Sequence, residues 1–328
     1  MAAVNHSEAC SDEDFIALWD EHQSAQKLAK ILGVNIRNIH ARRRNMEKFH
    51  NIKLNASDHR GALYDARKQS FSPLKQIDLG ILDGTVIVFS DAHFIGQRTT
   101  AFKGLLWAIQ EFSPKAIICN GDAFDGASIS RHDVTELPQT SVIQELKATQ
   151  AALDEIEETA KEARHNVKLV FTWGNHDIRF GNRLAQHAPQ FKEVFGFKLT
   201  DHIPNWDFCW AVWPTSKCIV KHRYKGGIHA AHNNTVNAGV SIVTGHLHSL
   251  KVTPFSDYNG NRFGVDTGTL AETDGPQFTY AEINPANQRS GFAVLNFFNG
   301  QLLWPELVHK FDEDMVQFRG EVIDVGAF

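Results

Sequence analysis

Two periodicities divide the chain. Between residues 13 and 50, apolar positions recur at helical spacing. Phe15, Leu18 and Trp19 mark one amphipathic helix. Ser24 can cap a second, with Leu28, Ala29 and Leu32 inward and Gly33 as its stop. Val34 and Asn35 open a third, which carries Ile36, Ile39, Met46 and Phe49 inward. The string SAQKLAKILGVNIRNIHARRRNMEK has the layout of a helix-turn-helix, and the outer face of its last helix is polar and basic. Residues 51–75 have little periodicity and read as a linker. The expected division is a helical unit over 1–50, a linker over 51–75 and a larger domain over 76–328.

Past residue 76 the pattern shifts to period 2 and to short apolar runs. Ile77, Leu79 and Ile81 alternate, Asp83-Gly84 predicts a hairpin turn, and TVIVF follows as a buried strand. The alternation of strand 85–90, helix 99–111, strand 115–120, helix 140–164 and strand 167–173 predicts a layered α/β domain. The last third is richer in strands. AVWPTSKCIVKH, VSIVTGH and NRFGVDTG each read as a strand running into a loop, and FAVLNFF and QLLWPELV flank a second hairpin signal at Asn299-Gly300. Two sheets packed face to face with helices outside, a four-layer α-β-β-α arrangement, is the natural assembly.

A net charge of -5 over 328 residues gives no global polyanion signature. The charge is uneven, however: Lys27 to Lys68 holds eleven Lys/Arg against Glu47, Asp58 and Asp65. The four cysteines form no C-x-x-C pair and suggest neither a zinc knuckle nor a disulfide framework. The N-terminus has no apolar signal core, and no apolar run approaches the ~20 residues that span a bilayer. The expectation is a soluble cytoplasmic protein with no membrane partner.

The 17 histidines change the picture most. Polar clusters sit just past successive apolar strands, where open α/β sheets place their ligand loops. Asp91 and His93 follow TVIVFS, Asp122 and Asp125 follow KAIICNG, and Asn175 and His176 follow VKLVFTWG. His222 follows CIVK, and His246 and His248 follow VSIVTG. Carboxylate, imidazole and amide donors of this kind suit Mn, Fe, Zn or Ni, and two such ions can acidify water and clamp a phosphoryl group. His229 and His232 compete with His222, which alone ends an apolar strand.

The order D-x-H, G-D-x-x-D, G-N-H-D, H, G-H-x-H resembles the calcineurin-like metallophosphoesterase superfamily over roughly residues 77–310. The resemblance implies a β-sandwich of two mixed sheets flanked by helices, and a hydrolase holding two divalent ions, Mn²⁺ first, with Fe, Zn, Ni or Mg as alternatives. It places Asp91, His93 and His248 on one ion and Asn175, His222 and His246 on the other, with Asp122 bridging. It makes His176 the imidazole that meets substrate and Asp125 its carboxylate partner. Where family members usually carry Gly after the isolated His, this chain carries Arg223. Arg131, His132 and Arg179 read either as phosphate clamps or as loop salt bridges.

The helical unit points to DNA, with Asn35, Arg37, Asn38, Arg42, Arg43 and Arg44 meeting a groove and its phosphates. A packing or oligomerisation module with a solvated basic face is the alternative. The layout is similar to phage and prophage proteins with a helix-turn-helix ahead of a calcineurin-like domain, working in a bacterial host cytoplasm, and to the DNA-repair exonuclease branch. The expected activity is therefore a DNA nuclease. The alternatives are a protein or small-molecule phosphatase and a DNA-binding regulator with weak hydrolase activity.

Overall fold

The computed structural model describes residues 10–54, 74–130, 140–191, 194–196, 198–281 and 287–328. The chain divides into two compact units, Met1–Pro73 and Leu74–Phe328.

The described residues of the smaller unit form three helices, α1 (Asp12–His22), α2 (Ala25–Ile31) and α3 (Ile36–Phe49). Each is started by a side chain that accepts an otherwise unpaired backbone N–H: Ser11 from Asp14, Ser24 from Lys27 and Asn35 from Arg37. Phe15, Trp19, Leu28, Ile39 and Met46 bury together as the helical spacing requires. Phe49 does not: it stands 84% exposed at the last position of α3, and Leu54 beyond the helix is buried instead.

The larger unit is built on two mixed sheets. One has the order β1-β6-β7-β8-β10-β9: β1 (Gln76–Asp78), β6 (Ala211–Thr215), β7 (Cys218–Val220), β8 (Ser241–Thr244), β10 (Gly260–Asp266) and β9 (Lys251–Asp257). The other has nine strands in the order β15-β14-β13-β11-β2-β3-β4-β5, with β12 on β11. Its strands are β15 (Glu321–Asp324), β14 (Met315–Phe318), β13 (Glu306–Asp312), β11 (Gly291–Phe298), β2 (Gly84–Phe89), β3 (Ala116–Cys119), β4 (Lys168–Thr172), β5 (Asp207–Cys209) and β12 (Gln301–Leu302).

Strand alternation sorts the core. Val86 and Val88 of β2, Ile118 of β3 and Val170 of β4 face the other sheet, meeting Val212, Val220, Val243 and Val265. Their neighbours Ile87, Phe89, Ile117 and Phe171 face the opposite way, onto α4 (Thr100–Phe112) and α5 (Val142–Ala163) through Leu105, Ile109, Leu153 and Ile156. Strands buried on both faces are why these segments read as unbroken apolar runs. Each such side chain removed from water contributes roughly 1.5–3 kcal/mol. A further helix, α8 (Ala230–Ala238), covers β8, β9 and β10. It lies so close that a Cβ on Gly264 would strike the Ala231 carbonyl, so that strand position admits only glycine. The layers therefore run α-β-β-α, as expected. Two short helices, α6 (Asp177–His187) and α7 (Leu199–His202), precede β5.

Two local expectations fail. The Asp83-Gly84 turn does not close a hairpin: β1 pairs parallel with β6, while β2 pairs with β3 and β11 in the other sheet. Leu79 and Ile81 donate to Trp213 and Pro214 carbonyls, so the segment crosses from one sheet to the other. The alternation was real, but it reported burial against the sandwich and not a local partner. AVWPTSKCIVKH is likewise two antiparallel strands, turned at Ser216-Lys217. Asn299-Gly300 does turn a hairpin, with φ of 49° and 71° and Phe298 opposite Gln301. Among the described residues, no helix is long and apolar enough to cross a membrane.

Candidate metal centre

Five strand ends converge. β2 delivers Asp91 and His93, β3 delivers Asp122 and Asp125, and β4 delivers Asn175 and His176. These three strands run parallel in the large sheet. β7 and β8, parallel in the small sheet, deliver His222 and then His246 and His248. Asp91, His93, Asp122, His246 and His248 all have left-handed backbone, with φ between 43° and 73°. Non-glycine residues avoid that region, at a cost of order 1–3 kcal/mol each, and hold it where the surroundings over-determine them. The sharp turns aim successive side chains back over the strand ends.

Three donor groups result among the described residues, Asp91–His93–His248, Asp122–His222–His246 and His93–Asp125–His176. His248 Nε2 lies 2.9 Å from Asp91 Oδ1, and His222 Nε2 lies 3.0 Å from Asp122 Oδ2 and 3.3 Å from Asn175 Oδ1. His222 Nδ1 is 2.7 Å from the Asn120 carbonyl, which accepts its proton. Nε2 of the neutral ring then presents a lone pair toward a carboxylate oxygen and an amide oxygen. Three acceptors facing one another call for a cation between them, and this is the fit of the site to a divalent ion.

The titration behaviour agrees. Burial works against charge on His222, yet Asp122 and Asp91 push it up to about 10, so a proton is held where an ion would sit. Burial opposes ionisation of Asp91, but His248 and His222 hold it down to about 2. Asp122, despite its burial, is held well below the carboxylate range by His222, His176 and His93. His246 is lowered by burial, His222 and Arg223, which leaves a neutral ring able to donate a lone pair.

In the third group, Asp125 Oδ1 takes two imidazoles at once, His176 Nδ1 at 2.9 Å and His93 Nδ1 at 3.1 Å. Arg179 Nη2 reaches His176 Nε2 at 3.0 Å, and Nη1 reaches the Asp125 carbonyl at 3.0 Å. Burial and Arg179 lower the pKa of His176, whereas Asp125 and Asp122 raise it, and the net shift is upward.

The residue without a role in the sequence reading is Asp177. Fully buried, it accepts the backbone N–H of Asp122 at 2.8 Å, of Gly174 at 2.9 Å and of Phe124 at 3.1 Å, which ties two site loops together. Its signal was available as the acid ending G-N-H-D and opening α6. A Cβ on Gly174 would collide with the Asp122 amide and carboxylate, so the glycine of that motif exists for close approach. Ser90 likewise donates to Asp91 Oδ2, and the His246 amide does so at 2.8 Å.

The other predicted residues divide clearly. His229 and His232 are exposed, on and just inside the start of α8. Arg131 and His132 lie outside the described residues. In the smaller unit, Asn35 spends its side chain on the cap of α3. Arg42 donates to the Cys10 carbonyl at 2.7 Å and to Asp12 at 2.9 Å, over the Phe15 ring. Arg43 pairs with Glu47 at 3.0 Å over the Trp19 ring. These two arginines serve the packing of their own unit. Arg37 and Arg44 are exposed and Asn38 is half-buried.

The family model for calcineurin-like phosphoesterases matches residues 84–267, more than half of the chain. No curated protein sequence matches it. Among solved structures, Vps29 from Entamoeba histolytica complexed with zinc is 13% identical, covering 74% of this chain and 99% of its own, with a TM-score of 0.39. An archaeal phosphodiesterase is 12% identical over 69% and 99% of the two chains, with a TM-score of 0.33. A protein serine/threonine phosphatase from Saccharomyces cerevisiae is 12% identical over 77% and 88%, with a TM-score of 0.36. Likeness that low carries no functional argument, and the assignment rests on the sequence match and the convergent strand ends: this chain belongs to the calcineurin-like phosphoesterases, a family of metal-dependent hydrolases.

Proposed function

We propose that the chain is a two-metal phosphodiesterase acting on DNA. The observation that carries the hydrolytic reading is the facing of His222 Nε2, Asp122 Oδ2 and Asn175 Oδ1 beside a second group of Asp91, His93 and His248. In this reading Asp91, His93 and His248 hold one divalent ion, Asn175, His222 and His246 the other, and Asp122 is shared. Manganese heads the order of expected metals. Two ions there would neutralise charge on a phosphoryl group and lower the pKa of water.

The chain's own part is proton handling and orientation. Asp125 fixes the Nδ1 proton of His176 and so turns Nε2 toward Asp122 and Arg179. Arg179 beside Nε2 offers a cation to a phosphoryl oxygen. When an anion draws Arg179 away, Nε2 can take a proton from solvent water and pass it to the leaving oxygen.

DNA as substrate is supported by α3, whose exposed side carries Arg37, His40, Arg44 and Lys48 at helical spacing with no acid among them. As the second helix of a helix-turn-helix, it would place these cations against phosphates. A phosphatase with a packing module is the second reading, favoured by the inward use of Arg42 and Arg43. The test is to offer Mn²⁺-loaded protein linear and circular, single- and double-stranded DNA beside bis(p-nitrophenyl) phosphate and p-nitrophenyl phosphate. Cleavage of DNA and the diester is expected. Turnover of the monoester alone refutes the reading.

A further inference from the structure

From Phe208 to Ser256 this net-negative chain holds no Asp or Glu, while it holds Lys217, Lys221, Arg223, Lys225 and Lys251. The segment runs from β5 into β9 and contributes His222, His246 and His248 to the centre. Next to His246 it forms a cavity of about 100 Å³, lined by Arg223, Tyr224, Lys225, Gly226 and Gly245 among others.

The walls are fixed and the charge is free. Buried Asn234 accepts the Lys225 amide at 3.0 Å, and Lys225 Nζ reaches Asn237 at 2.9 Å, so α8 holds the loop. Lys221 sits over the Tyr224 ring at 5.2 Å, and Lys251 Nζ caps the Ile228 carbonyl at 2.8 Å. Arg223 is exposed and has no ion-pair or hydrogen-bond partner among the described residues. An arginine kept without a carboxylate, one residue from a metal-ligand candidate, suits a second anion near the reacting one. The cavity has room for a phosphate group.

We propose that the loop Lys221–Gly226 is a subsite for the phosphate adjoining the scissile one, so the centre selects polynucleotide strands over isolated phosphoesters. This rests on the phosphodiesterase reading above. The test is the gain in kcat/KM from TpT, with one phosphate, to TpTpT, with two, in the Mn²⁺-loaded full chain. One charge-assisted contact is worth about tenfold or more, so wild type should gain roughly that much, mostly through KM. Arg223→Ala should cut the gain to about twofold and Arg223→Lys should restore most of it. With single-stranded oligo-dT, Arg223→Ala should also make the log kcat/KM against log salt slope shallower by about 0.7, the value for one lost phosphate contact. An undiminished gain in Arg223→Ala, or no gain in wild type while bis(p-nitrophenyl) phosphate is hydrolysed, overturns the subsite and leaves the phosphodiesterase standing. No hydrolysis of any diester overturns both.

Discussion

Asp177→Ala removes the carboxylate that ties the loops after β3 and β4. Three buried N–H groups, of Asp122, Gly174 and Phe124, lose their acceptor. An orphaned buried donor costs about 1–3 kcal/mol, which gives roughly 3–9 kcal/mol for the three. Part is returned, because burial and the neighbouring Asp122 charge push Asp177 up to about 7, so its ionised form is already disfavoured. The net loss should lie near the low end, about 3 kcal/mol. At ~2–4 °C per kcal/mol for a unit of this size, that lowers Tm by about 6–12 °C. Releasing the Asp122 amide should also weaken metal binding by the ~10–100-fold seen when a ligand loses its support. Asp177→Asn keeps volume and one good acceptor, and should fall between. Calorimetry of metal-loaded and metal-stripped protein, with elemental analysis, reads both effects. The pH dependence has a definite sign. The native carboxyl keeps a proton that the unfolded chain releases, so Asp177 costs stability as pH rises from about 4 through about 7. Stripped wild type should show that decline more steeply than the variant. A Tm within 2 °C of wild type with full metal content would refute the reasoning.

His176→Ala should keep its metal while turnover falls by about 10²–10⁴, whereas Asp122→Ala should lose metal; elemental analysis beside diester kinetics separates them, and the reverse pattern overturns the roles. Metal binding at pH 8 should release a proton from His222, which is held protonated up to about 10 in the free site; calorimetry in buffers of different ionisation enthalpy measures it, and zero release counts against this ligand. Arg42→Ala should unfold the smaller helical unit more readily, since Cys10, Asp12 and Phe15 lose their partner, while Arg44→Ala should leave its melting unchanged and weaken DNA binding in a salt-dependent way. Equal melting of the two variants contradicts the division of labour.

The site was legible because each donor follows an apolar run, and such runs are recorded plainly where strands are buried on both faces. The layered order and most element bounds came from the same signal. What stayed hidden depended on partners distant in sequence. The alternation at Ile77, Leu79 and Ile81 reports a buried face but not which sheet supplies it. Arg42, Arg43 and Arg44 look alike in one dimension; only the positions of Phe15 and Trp19 decide which of them turn inward. Asp177 ends the G-N-H-D motif, but an acid in the first turn of a helix is common, and two of its three backbone donors, Asp122 and Phe124, come from another loop.

The left-handed backbone at five candidate ligand positions bears on the order of folding and metal loading. Those turns are held by bonds such as His93 N–H to the Asp122 carbonyl and Asp91 N–H to the Gly121 carbonyl, between loops that sit on two independent apolar cores. These bonds run between protein groups, so the scaffold is expected to fold before it is loaded, unlike small zinc modules whose ligands gather only around the metal. Folded protein stripped with chelator should then regain metal without unfolding, and the ion it takes up should follow what the surrounding solution supplies.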